Sequence, residues 1–308
     1  MGNIISRSNA EALIPVEYSN EIIKSVSRQS AALSLMNRLP NMTRKQRNIP
    51  VLQSLPVAGF VNGDTGLKAV SNVEWGNKVI TAEEIAVIIP IPEAVLDDAD
   101  YDIWAEIKPL IVAEFGRVID GAVFFGTDKP TSWPAGIISG AVTASKTVTL
   151  GTGDDIAEDI NSVMALVEAS GFDVNGFAGE IALKASLRGL RDQNGGLIFQ
   201  PSLQAETPST IYAQPISYVM NGAWDSATAK LVAGDWNKAV YAIRQDVTYK
   251  VLDQAVISDA QGHIIHNLAQ QDMVALRCVM RLGWQLPNPV TQIGGASHYP
   301  FAVLTPAG

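Results

Sequence analysis

The chain has 308 residues, of which 47% are apolar, 17% charged and 7% aromatic, and a formal net charge of −9 at pH 7. That apolar content excludes a disordered chain, and no uncharged apolar run approaches the ~18 residues that a membrane span needs. The charge fraction lies below the roughly one quarter typical of soluble domains, so much of the surface is expected to be covered by other chains.

The single cysteine, Cys278, excludes an intramolecular disulfide framework and a multi-thiolate zinc site, and only His263, His266 and His298 supply imidazoles. Met1–Ser6 lacks the basic segment and apolar core of a secretory signal, and its match to the loose myristoylation pattern reads as accidental, so the product is expected to stay where it is made. Residues 1–47 hold seven Lys/Arg against three Glu, a charge of +4, whereas the remainder carries −13. A basic arm on an acidic body suits contact with an acidic neighbour, another copy or a loosely held polyanion. It does not suit tight reading of a DNA sequence, which needs a basic face.

In chain order, Met1–Val16 is polar and aperiodic and reads as an arm lying on another body. Residues 18–39 carry Ile22, Ile23, Val26, Leu33, Leu35, Met36 and Leu39 ahead of Pro40, which predicts a helix ending near Arg38. Gln46–Leu52 predicts a strand. Residues 53–78 combine the turn formers Asn62–Gly66 with Gly59, Gly76 and thin apolar content, and the alternating run Val79–Ile89 follows. A flap of roughly 30 residues without its own core is uncommon unless it is functional, so it is expected to rest on another subunit.

Ile103, Trp104, Ile107, Leu110, Ile111, Phe115, Val118, Ile119, Ala122 and Val123 predict a helix over Asp102–Gly126, a rod of roughly 35 Å. Asp97, Asp98 and Asp100 supply its caps, Gly126 its stop, and Pro109 predicts a kink or a later start. Thr127–Gly140 reads as a loop, Lys146–Leu150 as a strand, and Asp154–Ser170 as a second helix capped by Asp154 or Asp155. Strand, helix, turn and strand then alternate around Gly179–Leu183, Ala185–Arg191, Ile198 and Ile216–Met220. Two-residue alternation in Lys230–Ala233, Ala239–Ile243, Thr248–Val256 and Asp272–Gln285 predicts long antiparallel strands, which makes the chain α+β.

No constellation carries chemistry. Asp98, Asp100 and Asp102 have the spacing that opens a calcium loop, but Ile103 stands where the turn glycine is needed and Pro109 where a bidentate glutamate is needed, so helix capping explains them better. His263 and His266 have no further ligand and read as exposed residues beside Gly262. Gly151-Thr152-Gly153 precedes a helix without the spacing or the lysine of a phosphate loop, and Asp154-Asp155 would repel an anion. No nucleophile elbow is present, and Cys278 alternates with apolar neighbours as a small buried hydrophobe. No metal or cofactor is expected, and the pattern points to assembly.

The order of parts resembles the major capsid proteins of tailed bacteriophages over essentially the whole chain. The resemblance rests on Leu13-Ile14-Pro15-Val16-Glu17-Tyr18-Ser19, the run Ala86–Asp98, Gly234-Asp235-Trp236-Asn237-Lys238-Ala239-Val240, Val251-Leu252-Asp253-Gln254-Ala255 and the run Asn267–Arg277. It implies an α+β capsid fold with an N-terminal arm and helix (1–47), an extended β-hairpin loop (48–88), a peripheral domain of spine helix and antiparallel sheet (89–150 and 235–291), an axial domain (151–234) and a C-terminal tail (292–308) returning toward the axial domain. Candidate contacts between copies are Ile22, Ile23 and Val26 in the arm and Phe60, Lys68, Trp75 and Lys78 in the flap.

Some members of that family weld neighbours by an isopeptide bond from a flap lysine to a sheet asparagine, assisted by a glutamate. Here Asp272 and Val279 stand at the acceptor and base positions, so Lys68 and Lys78 are expected to make ordinary contacts. Many members also carry a removable scaffolding extension, whereas this sequence reaches the arm at once, so a separate scaffolding protein, or none, and no processing are expected. The further partners implied are copies of the chain in hexamers and pentamers, a portal protein at one vertex, decoration proteins and non-specifically held double-stranded DNA, with no membrane. The implied place is the virion, assembled in the host cytoplasm. Two other readings stand beside this one: an encapsulin-type nanocompartment shell on the same fold, and a soluble hydrolase with an unrecognised site.

Overall fold

The computed structural model describes residues 30–61, 67–68, 70–98, 102–189, 210–293 and 298–307. From the N-terminal side, α1 (Ala31–Leu35) and β1 (Asn37–Arg38) precede a hairpin of β2 (Gln46–Leu52) and β3 (Trp75–Thr81), then β4 (Glu83–Pro92), α2 (Glu93–Asp97) and the long α3 (Ile103–Phe124). The middle holds α4 (Ile137–Thr143), β5 (Thr147–Thr149), α5 (Ile156–Glu168), β6 (Gly176–Glu180), α6 (Leu183–Gly189), β7 (Thr210–Ile211), β8 (Gln214–Val219) and β9 (Leu231–Gly234). The last third is β10 (Val240–Leu252), β11 (Val256–Ser258), β12 (Ile264–Asn267), β13 (Met273–Gln285) and β14 (Phe301–Thr305).

Two sheets organise these elements. The first has four strands in the order β1-β10-β13-β4, antiparallel except for β1 against β10. Its long strands alternate, so Val87, Cys278 and Tyr249 point to one side and their chain neighbours to the other. On the first side lies α3, which buries Ile111, Phe115, Ile119, Ala122 and Val123 against Leu276, Cys278, Met280 and Leu282. Asp102 starts that helix by accepting from the Trp104 and Ala105 amides at 3.0 and 3.2 Å.

The second sheet has six strands in the order β5-β14-β9-β6-β8-β7. Helices cover both of its faces, so β6 and β9 are buried at every residue, without alternation. Ala178, Val232 and Val303 face the large core shared with α3 and α4, while Phe177, Leu231, Ala233 and Leu304 face a second core under α5 and α6. This sheet takes in β5 and β14, which lie outside residues 151–234. The two sheets meet at Trp236, whose indole N–H donates to the Gly176 carbonyl at 2.9 Å and whose ring packs edge-on against Phe301 and Phe124.

The helix expected over 18–39 is corrected where it is described. Ser30 is extended and caps α1 by accepting from the Leu33 amide, and the chain leaves the helix at Met36 to pair β1 with β10. Tyr18–Gln29 lie outside the described residues. The loop expected over Thr127–Gly140 gives way to α4 from Ile137, because Ile137, Ile138 and Ala141 reach the core while Gly136 sits against the backbone of Phe125 and Gly126. The two runs expected over Ala239–Ile243 and Thr248–Val256 join in one strand, β10, which ends at Leu252, with Val256 opening β11; register shifts around Gln245 interrupt the alternation. The long helix starts at Ile103 and runs through Pro109, forgoing one backbone bond in its second turn.

Candidate functional site

The β2–β3 hairpin is paired from Gln46↔Thr81 to Leu52↔Trp75. Beyond it the Gln53 amide donates to the Glu74 carbonyl, the Glu74 amide to Ser54 Oγ, and the Val57 amide to Ser71 Oγ, at 2.7–2.8 Å. The tongue therefore keeps its form past the sheet register. Among the described residues most of its apolar side chains have nothing to lie on: Phe60, Leu67 and Val70 are 98–108% exposed, and Val57 and Trp75 are also exposed. Lys68 and Lys78 are exposed on the same tongue.

Its root, by contrast, is fixed. Met42, Ile80 and Ala82 pack on Val240 and Ala242 of β10. The Thr81 carbonyl accepts from the Trp133 indole at 3.2 Å, and Gln285 Nε2 donates to the Val79 carbonyl at 2.9 Å. Gly283 of β13 lies directly beneath the Thr81 carbonyl and the Ile80 side chain, an approach that any Cβ would obstruct. A fixed root and a bare apolar blade suit insertion into a surface that the described residues do not supply.

The same face of the four-stranded sheet continues past the root and is open there. One row of cross-strand neighbours is Ala86, Val279 and Thr248, and the next is Ile88, Arg277 and Lys250. Ala86, Ile88, Arg277 and Lys250 are exposed. At the near edge Arg281 forms a two-pronged bond to Glu84 Oε2, at 2.8 Å from Nε and 2.5 Å from Nη2. Asp272, in left-handed backbone geometry at φ 49°, immediately precedes β13 and accepts from the Glu93 amide through its carbonyl at 2.9 Å.

On the opposite face, a buried carboxylate anchors the arm. Asp120 of α3 is fully buried and accepts from Ser30 Oγ (2.6 Å), the Ala31 and Ala32 amides (3.1 and 3.0 Å) and Asn221 Nδ2 (2.7 Å). Burial raises its pKa above the ordinary aspartate value, and the four donors oppose that rise. One side chain thus ties the start of α1, the C-terminal part of α3 and the β8–β9 connection together. Sequence spacing gave no sign of this joint, since Ser30 and Asn221 are 90 and 101 residues away from Asp120.

The expected sites of no chemistry resolve into structure. The Gly151 and Gly153 amides are taken by the buried carboxylate of Asp159 at 2.7 and 2.8 Å, while Asp155 caps α5. His263 pairs with Asp259 in an exposed turn, and His266 lies on a strand beside Gln271, so a helical ligand pair does not form. Asp98 is exposed, Asp102 caps α3, and Asp100 lies outside the described residues. Among the described residues no group of three metal-ligating side chains converges, and no helix is long and apolar enough to cross a membrane. Burial pushes the Cys278 thiol up to about 12, away from thiolate chemistry. Of the contact candidates, Phe60, Lys68, Trp75 and Lys78 sit on the tongue, whereas Ile22, Ile23 and Val26 lie outside the described residues.

Known proteins share both the sequence and the fold of this chain. The model of the phage capsid family matches residues 10–290. The major capsid protein of Staphylococcus phage 80alpha is 24% identical over 307 residues, covering 99% of this chain and 88% of that protein. A solved chain from Microbacterium phage Oxtober96 superposes with a TM-score of 0.80 at 40% identity, covering 99% of this chain and all of the other. One from Mycobacterium phage Adephagia gives 0.80 at 32%, covering 99% of each chain. At 16% identity, the capsid of a native GTA particle shares the fold, with a TM-score of 0.63 and full coverage of both chains. With the family model covering the hairpin, the long helix, the four-stranded sheet and every strand of the six-stranded sheet but β14, this chain belongs to the phage capsid family.

Proposed function

We propose that the chain is a major capsid protein whose copies associate through pentamers and hexamers into an icosahedral shell around double-stranded DNA. The observation that carries this reading is the tongue, with its root packed on the sheet and Phe60, Leu67 and Val70 fully in solvent. Burying each such side chain is worth about 1.5–3 kcal/mol, so a neighbour that covers them is strongly favoured. Each contact remains weak enough to reverse during growth, and many contacts per copy hold the closed shell. Ile22, Ile23 and Val26 of the arm and Phe60, Lys68, Trp75 and Lys78 of the tongue are the proposed contacts between copies. The spine helix α3 carries load, and the role is structural, without a reaction.

In this reading residues 1–47 are the arm, 48–88 the extended loop, 89–150 with 235–291 the peripheral domain, 151–234 the axial domain, and 292–308 a tail that joins the axial sheet. A separate scaffolding protein, a portal at one vertex and decoration proteins complete the particle, which is built in the host cytoplasm. Outside the arm the chain carries −13, so the DNA-facing surface is neutral to acidic and holds phosphate loosely. The nanocompartment alternative has less support, because the named relatives are phage chains and a GTA particle.

Sedimentation and negative-stain imaging of the expressed full chain test the proposal. Closed shells or rings of five and six copies are expected, and a monomer or small oligomer at assembly concentrations would overturn it. Boiled particles are further expected to run as one monomer band on SDS gels. Val279 brings no base to the open face, and Glu84, in the next row toward the root, is held by Arg281. A ladder of linked subunits would refute the non-covalent shell.

A further inference from the structure

The open strip of the four-stranded sheet contains an electrostatic mismatch. Lys250 and Arg277 are direct cross-strand partners, both exposed, and neither has an ion pair among the described residues. Like charges directly opposite each other on antiparallel strands repel, so the isolated subunit has an unfavourable pair. Ile88, 43% exposed, flanks Arg277 on the far strand, and Ala86 is one row nearer the root. The strip is therefore an apolar lane with two cations that lack a counter-charge among the described residues.

We propose that this pair receives the carboxylate of Glu74 from the tongue of a second copy. The inference rests on the reading that copies of this chain assemble, and names the charge that seats one tongue on its neighbour. Glu74 is the only acid among the described residues of the tongue from Gln53 to Glu74. Its backbone amide and carbonyl are both used inside the tongue, so the backbone is held while the exposed side chain has no ion pair among the described residues. Trp75, 69% exposed, and Val73 stand beside it as apolar partners for Ile88 and Ala86. The receiving face is continuous with the one on which this chain already seats its own hairpin root, through Met42, Ile80 and Ala82. Val279 lies two residues from Arg277 on the same face and is apolar, so the paired cations are what holds the tongue by charge.

Three variants of the full chain test this, with the parent as reference. Arg277→Gln removes the repulsion, so unassembled subunits are expected to melt at a higher temperature, while the concentration needed to form shells rises about tenfold, equivalent to ~1.4 kcal/mol. A residue with a purely structural role would not move these two readouts in opposite directions. Lys250→Glu with Arg277→Glu is expected to abolish shells while the tryptophan emission of the subunit is unchanged, and adding Glu74→Lys to that pair to restore assembly to within about threefold of the parent. Unchanged assembly in Arg277→Gln, or a triple variant no better than the double, overturns the proposal. So does a double variant that forms shells normally but retains less nucleic acid, which would assign the cations to phosphate. If the parent itself forms no shells, the functional reading fails first, separately from this inference.

Discussion

Asp120→Ala is expected to lower the stability of the unassembled subunit by about 3–4 kcal/mol and to release the arm from the spine helix. The four donors aimed at this carboxylate sit in surroundings where Ser30 and Ala32 are fully buried, and each buried donor left unmet costs about 1–3 kcal/mol. Asp120→Asn is the milder control, since one oxygen still accepts while the amide nitrogen is turned against two donors, and a loss of about 2 kcal/mol is expected. Denaturation followed by the emission of the buried Trp236 and Trp284 gives the stability, and protease cutting between Ser30 and Arg47 reports arm release.

The pH dependence of this joint has a definite sign. Burial lifts the folded-state pKa above the ordinary 3.8, so the folded subunit holds the proton after the unfolded chain has lost it. The stability from this proton is fully present below pH 3.8 and declines as pH rises through the folded value. A carboxamide in its place does not titrate, so the deficit of Asp120→Asn is expected to be largest in acid and to shrink toward neutrality. A deficit that grows with pH through that window would show the four donors outweighing burial.

What was legible in the sequence follows from what is local. Gln46–Leu52 declared itself as a strand, and the ten apolar positions from Ile103 to Val123 as a helix, because periodicity records a buried face. Asp155 was readable as a cap because its partners are two and three residues away. The Asp120 joint was not, since its donors come from distant segments, and neither was the opposition of Lys250 and Arg277. The latter depends on the register of β10 against β13, which the shifts at Gln245 displace from simple alternation. The α4 helix was hidden for a related reason: seven residues with two β-branched isoleucines and a glycine carry little helical signal, and tertiary packing decides. The exposed tongue was legible by default, as a long segment whose apolar residues had no periodic partner.

Gly283→Val is expected to remove assembly while leaving a folded subunit, the larger of the two effects on the shell. A Cβ at 283 meets the Thr81 carbonyl and the Ile80 methyl, and the Thr81 backbone is tied by its pairing with Gln46 and by the Trp133 indole. The root must lift from the sheet, at about 1–3 kcal/mol for an overpacked contact, which a domain of this size can survive. The tongue magnifies the shift: β2 alone runs roughly 20 Å from Gln46 to Leu52 at ~3.3 Å per residue, so a tilt of about 10° at the root moves the end of the paired hairpin by roughly 3 Å and carries the segment with Phe60 along with it. Gly234→Ala separates geometry from stability. Its added methyl collides with the Phe301 ring and the Pro300 carbonyl inside the six-stranded sheet, not with the hairpin root, and is expected to lower the melting temperature without misdirecting the tongue. At matched residual stability, then, the position 234 variant should still close shells and the position 283 variant should not. Equal assembly by both would mean that the tongue adjusts freely to its neighbour, and the fixed root would have no part in specifying the shell.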